Sequence, residues 1–197
     1  MEITQFPGLK DPIHDAQITF RALLDALSFP GRTQEIFVQL TPPPGLTLAC
    51  AAACLTLLDL ETTVWLSSDF EPEVKSWLKF HTGCHFTEHP KAANFAMIQK
   101  LCLLPAFSNF NWGTAEQPEL STTLLIQVEP LEKRESVRLE GPGISEKRVI
   151  KLPLSSTFRQ GWLEINRSYP LGIDVFLLGE NTVIGLPRTT TLSIENP

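Results

Sequence analysis

Pro170-Leu171-Gly172-Ile173-Asp174-Val175-Phe176-Leu177-Leu178, then Gly179-Glu180-Asn181, then Thr182-Val183-Ile184-Gly185-Leu186-Pro187-Arg188-Thr189-Thr190 reads as two apolar strands around a short polar turn. Continued to about Ile194, the stretch is expected to form a closing hairpin. Its polar groups stand at the open ends. Asp174 begins one strand, and Arg188, Thr189 and Thr190 follow the other. Hairpin ends are neighbours, so a carboxylate, a guanidinium and two hydroxyls are expected to converge at the rim of an apolar sheet. Such a cluster is a structural ion pair, a ligand site or a tightly specified subunit contact.

Working back from the hairpin, Ser155 or Ser156 is placed to cap a helix carrying Phe158, Trp162 and Ile165 at helical spacing. Thr122 to Val128 is a continuous apolar strand, with Ser136 to Leu139 as its expected hairpin partner. Gly141-Pro142-Gly143-Ile144 is a loop. Residues 105–118, rich in Asn, Gly, Phe and Trp, are irregular. Asn94 to Ile98 and Thr62 to Ser67 are short strands. Between them a helix starts at Asp69 or Glu71, puts Val74, Trp77, Leu78 and His81 on one stripe, and ends at Gly83. Leu48 to Leu58 is an Ala-rich helix, apolar on most sides and so covered on most sides. Thr41-Pro42-Pro43-Pro44-Gly45 is a stiff connector, and Thr33 to Leu40 a half-buried strand. The first helix opens with Pro12 at its first position or Asp15 as cap. It turns Ala16, Phe20, Leu23, Leu24 and Leu27 inward, and stops at Pro30-Gly31. Helices separate the early strands and the later strands follow one another directly. This order predicts an α/β fold with a mixed sheet flanked by helices, in one domain spanning residues 1–197.

The chain has 197 residues, 43% of them hydrophobic and 19% charged, as a folded globular protein requires. A net charge of −6 with no long basic run excludes broad nucleic-acid binding. The longest apolar stretch is too short to span a bilayer. Met1-Glu2-Ile3-Thr4 has none of the features of a secretory signal. The expected location is therefore the cytoplasm, with Cys50, Cys54, Cys84 and Cys102 as reduced thiols.

His81, Cys84, His85 and His89 fall within nine residues, but Gly83 and Pro90 interrupt the helix that would align them, so no metal site is assigned. Cys50 and Cys54 lie one turn apart on the most apolar helix and read as small buried hydrophobes. There is no phosphate-binding loop with its lysine and no dinucleotide fingerprint. Arg21 sits on an amphipathic helix, as a solvated charge or an anion partner. His81, on the apolar stripe, is the proton-transfer candidate because its ordinary pKa lies near neutrality.

Several stretches together resemble one family: Phe20-Arg21-Ala22-Leu23-Leu24, Ser28-Phe29-Pro30-Gly31, Leu55-Thr56-Leu57-Leu58-Asp59, Thr63-Val64-Trp65-Leu66, Phe80-His81-Thr82, Gly113-Thr114, Gly141-Pro142-Gly143-Ile144, Pro170 to Asp174 and Pro187 to Thr190. Running from about Asp15 to Thr190, they are similar to the PhnH subunit family of the bacterial carbon–phosphorus lyase. The resemblance implies a role in phosphonate catabolism. With partner subunits, such a protein supports attack of an alkylphosphonate on the ribose of ATP, displacing adenine to give a ribose 1-phosphonate 5-triphosphate. A separate radical S-adenosylmethionine subunit then breaks the carbon–phosphorus bond. The implied fold is that of pyridoxal-phosphate-dependent transferases without the cofactor. No lysine stands inside the quoted motifs, Lys79 being the nearest. The implied partners are the other core subunits, with a homodimer when isolated. The alternative is a stand-alone binding protein for a phosphorylated nucleotide or phosphonate, with Arg21, Arg188, Thr189 and Thr190 holding anionic oxygens.

Overall fold

The computed structural model describes residues 6–128 and 135–194, and the amino-terminal stretch Met1-Glu2-Ile3-Thr4 lies outside them. Four helices and two sheets are present among the described residues. The helices are α1 (Pro12–Ser28), α2 (Leu48–Leu57), α3 (Pro72–Thr82) and α4 (Ser156–Arg167). The strands are β1 (Gln34–Glu35), β2 (Thr63–Leu66), β3 (His85–Phe86), β4 (Phe95–Ile98), β5 (Thr123–Gln127), β6 (Glu135–Glu140), β7 (Arg148–Leu152), β8 (Asp174–Leu178), β9 (Thr182–Leu186) and β10 (Thr191–Ile194).

The larger sheet runs β1-β9-β8-β5-β4-β2-β3, with β3, β2, β4, β5 and β8 mutually parallel and β9 antiparallel to β8. Its central strands are buried on both faces and alternate between two cores. Met97, Leu125, Phe176 and Leu178 face α1, α2 and α3. Ile98, Leu124, Ile126, Val175 and Leu177 face α4 and the smaller sheet β10-β6-β7. A mixed sheet flanked by helices is therefore the observed architecture.

Local chemistry fixes the helix ends. Asp11 caps α1, its Oδ1 accepting from Ile13 N at 3.2 Å and His14 N at 3.1 Å, with Pro12 at the first helical position. The cap is Asp11, not Asp15. Thr47 caps α2, Ser155 caps α4, and Gly83 ends α3 in the left-handed conformation.

Four expectations are corrected. The buried stripe of α1 is Thr19, Ala22, Leu23 and Ala26, leaving Phe20 52% and Leu24 53% exposed. The closest approach of α1 to β9 is at Gly185, where a Cβ would stand 2.5 Å from the Ala26 carbonyl, and Ala22 and Ala26 with Leu23 fill this face, while the Thr19 hydroxyl is satisfied by Asp15 O at 2.8 Å. In residues 33–40 only Gln34 and Glu35 pair, because Glu35 meets the first residue of β9, beyond which the hairpin turn offers no strand. β6 does not pair with β5, whose two edges are taken by β4 and β8. It joins β7 and β10 instead. The closing hairpin ends at Leu186, where Pro187 supplies no N–H. A turn with Thr190 N donating to Pro187 O at 2.8 Å then sends β10 into the other sheet.

Candidate functional site

The expected meeting of Asp174 and Arg188 occurs. Pairing of Val175 with Leu186 places Asp174 opposite the exit of β9. Arg188 donates from its backbone N to Asp174 Oδ1 at 2.8 Å, from Nε to Oδ1 at 3.3 Å and from Nη2 to Oδ2 at 2.6 Å. Its Nη2 also donates to Ser121 Oγ at 2.7 Å, and Nη1 to Pro118 O at 2.6 Å. The two side chains are 14% and 21% exposed. A guanidinium carries five N–H donors, and these contacts occupy most of the fork. Arg188 thus ties the β9 exit to the start of β8 and to the turn before β5.

Of the other quoted motifs, those around Gly113, Gly141 to Gly143 and Thr189-Thr190 pack on or beside the same rim. Gly113 (φ 79°) lies under Pro118, where a Cβ would stand 2.7 Å from Pro118 O, the carbonyl that Arg188 holds. Gly143 (φ 81°) lets its loop press on the Ser28 carbonyl and Pro30, while Arg148 Nη1 donates to Pro30 O at 2.8 Å. Any side chain at Gly143 would overlap Ser28 O. Trp162 Nε1 and Asn166 Nδ2 donate to Thr190 O at 2.8 and 2.9 Å, and Asn166 Nδ2 also reaches Arg188 O at 3.0 Å. Thr190 is fully buried, and its hydroxyl and Asn166 Oδ1 have no hydrogen-bond partner among the described residues. Thr189 is half-buried, with its carbonyl against Gly141.

Two candidates stand elsewhere. Half-buried His81 engages Phe6 O through Nε2 at 3.1 Å. Trp77 Nε1 donates to the same carbonyl at 3.0 Å, and the His81 ring packs 5.0 Å from those of Trp77 and Phe80. His81 shares no contact with Arg188 or its partners, and its ring is spent on the chain at Phe6 and Gly8. Arg21 is exposed on α1. Among the described residues no group of three or more His, Cys, Asp or Glu is arranged to hold a metal.

A second polar group was not singled out from the sequence. The parallel strands begin at the Asp174 rim, since Thr123 pairs with Asp174 and Phe95 with Thr123. Sheets of this kind bind ligands at the opposite, carboxyl ends, where successive connections diverge. That point lies between β2 and β4, and Ser67, Asp69 and Gln99 gather there. Ser67 Oγ donates to Asp69 Oδ1 at 2.5 Å and accepts from Gln99 N at 3.2 Å. The connector at residues 41–47 covers the neighbouring strand ends: Gln127 Nε2 donates to Gly45 O at 2.9 Å and Gln127 Oε1 accepts from Thr47 N at 2.7 Å. Only knowledge of which strands end side by side reveals this group.

Cys50, Cys54 and Cys84 are buried, and Cys102 is exposed. The Cys54 thiol donates to Met97 Sδ at 3.6 Å. The neighbouring Cys50 thiol and burial both push the Cys54 pKa up, against the thiolate that nucleophilic chemistry needs. Burial likewise pushes the Cys84 thiol up. A thiol reagent applied to the native protein is expected to label Cys102 rapidly and the other three only after denaturation. Fast labelling of more than one thiol would contradict this packing.

Residues 7–193 match the family model described as bacterial phosphonate metabolism protein (PhnH). The chain is 37% identical to the alpha-D-ribose 1-methylphosphonate 5-triphosphate synthase subunit PhnH of Rhizobium meliloti (strain 1021), over 94% of each chain. It is 29% identical to the "Putative C-P lyase subunit protein HtxG" of Stutzerimonas stutzeri, over 91% of this chain and 86% of that one. With nearly its whole length matched, this chain belongs to the PhnH family of bacterial phosphonate metabolism proteins.

Proposed function

We propose that this chain is a non-autonomous subunit of a carbon–phosphorus lyase complex. It works with partner subunits in the synthesis of ribose 1-phosphonate 5-triphosphate from ATP and an alkylphosphonate, in the bacterial cytoplasm, and is a homodimer when isolated. The observation that carries the reading is the internal commitment of Arg188. An anion-binding arginine presents its fork outward, whereas this one is turned onto Asp174, Ser121 and Pro118. The carboxyl-end polar group is likewise bonded within the chain, while Ile13, Phe20, Leu24, Phe37 and Phe80 are exposed. Apolar surface with inward-facing polar groups suits a protein that binds other proteins. Among the described residues no helix is long and apolar enough to cross a membrane.

The order β3-β2-β4-β5-β8-β9-β1, with β9 alone running against the rest, supports the reading of a pyridoxal-phosphate-transferase-like fold. Lys79 is exposed on α3, as suits a solvated helix residue and not a cofactor lysine.

Tagged chain co-expressed with the remaining subunits of its system is expected to recover them at fixed stoichiometry. Calorimetric titration of the isolated chain with ATP and then methylphosphonate is expected to be flat. Stoichiometric ATP binding by the isolated chain, with no recovery of partners, would replace this reading with that of a stand-alone binding protein.

A further inference from the structure

The smaller sheet has two outer edges, and they are defended differently. β7 carries Arg148 and Lys151, charges of the kind that stop an edge strand from pairing with another chain. β10, Thr191-Leu192-Ser193-Ile194, has no charge, proline or bulge. It pairs with β6 alone, and its other edge meets no strand among the described residues. That edge borders an open groove of about 420 Å³. One wall is the stripe of α4 at Ser156, Arg159, Gln160 and Leu163, and the other is Leu192, Ser193 and Ile194. Side chains alternate along a strand, so a groove that touches three consecutive residues touches the backbone edge itself. Leu192 and Ile194 point to the same face, yet Leu192 is 7% exposed and Ile194 51%, and Leu163 across the groove is 48% exposed. The apolar cover of β10 therefore stops short, and two aliphatic side chains stand open beside an unpaired ladder.

These features specify the occupant. An unpaired ladder edge takes an extended backbone, and the pockets beside it take alternate side chains. Arg159 is the one charged residue in the lining, and Glu135 ion-pairs with it, so the groove is electrically neutral and suits uncharged, apolar side chains. From Ser156 to Leu163 α4 rises about 10 Å, and β10 also extends about 10 Å, so the slot holds roughly four extended residues. A second copy of this chain does not fit. Antiparallel pairing of two β10 edges is two-fold about an axis normal to the sheet, which puts both α4 helices on the same face at one junction. Strands at that junction stand about 4.8 Å apart, while a helix with its side chains is about 10 Å across.

We infer that β10 and the flank of α4 form a strand-addition site for an extended, uncharged apolar segment of a partner subunit, which adds a further strand to the smaller sheet. The inference rests on the proposed subunit role and assigns the surface that one partner uses. Amide hydrogen exchange of the full chain is measured alone and in the complex recovered with the remaining subunits. In the isolated chain the groove-facing amides of β10 are expected to exchange freely at every protein concentration, and in the complex at least tenfold more slowly. Leu163→Lys with Ile194→Lys is expected to lower partner recovery at least fivefold, far-ultraviolet circular dichroism being unchanged because both residues are already exposed. Partners recovered by the wild type with β10 exchange unchanged, or recovered equally by the lysine variant, would overturn this inference and leave the subunit reading standing. Protection of the β10 edge in the isolated chain would overturn it as well: concentration-dependent protection would make a second copy the occupant, and concentration-independent protection the chain itself. A wild type that recovers no partner would overturn the subunit reading and this site with it.

Discussion

Arg188→Ala is expected to lower the unfolding free energy of the isolated chain by about 3 kcal/mol, the lower end of what breaking a mostly buried ion pair costs. The loss has three sources. Asp174 keeps its charge with little water to solvate it. Pro118 O and Ser121 lose the donors that fix the turn before β5. The exit of β9 is no longer clamped by side-chain contacts to the start of β8. Arg188→Lys is expected to recover only part of the loss, because an ammonium cannot make the two-pronged contact. Removing both charges, Arg188→Met with Asp174→Leu, is expected to cost less than Arg188→Ala alone, since no unpaired carboxylate remains. Thr190→Val is the contrasting change on the same rim. The hydroxyl it removes is buried and without a partner among the described residues, so stability is expected to stay level or rise slightly. Urea midpoints of the five proteins, wild type included, decide the matter. If Arg188→Ala kept the wild-type midpoint while a reconstituted complex lost activity, the arginine would be a ligand or interface residue and not a tie.

Trp162→Ala is expected to cost about 4 kcal/mol, in the range for deleting a large aromatic from a closed core. The indole is fully buried and lies parallel to Phe158 at 5.6 Å, with the edge of Phe107 at 6.2 Å. These rings form the floor on which α4 meets the sheet. Trp162 also supplies Nε1 to Thr190 O, so it supports the rim from beneath. Trp162→Phe separates the two contributions. It keeps most of the stacking and removes the hydrogen bond, whose net worth is about 1 kcal/mol. Asn166 Nδ2 still reaches the same carbonyl. A loss for Trp162→Phe well below that for Trp162→Ala is therefore expected by thermal or chemical unfolding. Equal losses would mean that the polar tie, not the aromatic packing, holds α4.

Much of this was legible in residue order alone. Ser155 followed at helical spacing by Phe158, Trp162 and Ile165 specified α4 and its buried stripe, because capping and periodicity are local. The apolar runs of β5 and β8 declared buried strands, and the alternation of helices with the early strands predicted a mixed sheet flanked by helices. The meeting of Asp174 with Arg188 followed from a hairpin's ends being neighbours. The apolar count on α1 misled because the face turned to β9 carries Thr19, Ala22, Leu23 and Ala26, where Ala26 meets Gly185 closely, and that rotation leaves Phe20 and Leu24 outside.

Pairing across distance was decided by the tertiary structure. Strand propensity makes β6 a strand but does not name its neighbour. β5 already had two, so β6 paired with β7 and with a β10 turned aside by Pro187. The use of a polar group is settled in the same way. Sequence brings Arg188 to Asp174, but only the arrival of Pro118 and Ser121 from some 70 residues away occupies most of its remaining donors and makes it a structural tie. Local order sets which residues are helical, extended or capped, because those energies act within one turn. Which surfaces are covered and which remain for a partner depends on how close two distant backbones can come, and that is a property of the packed chain.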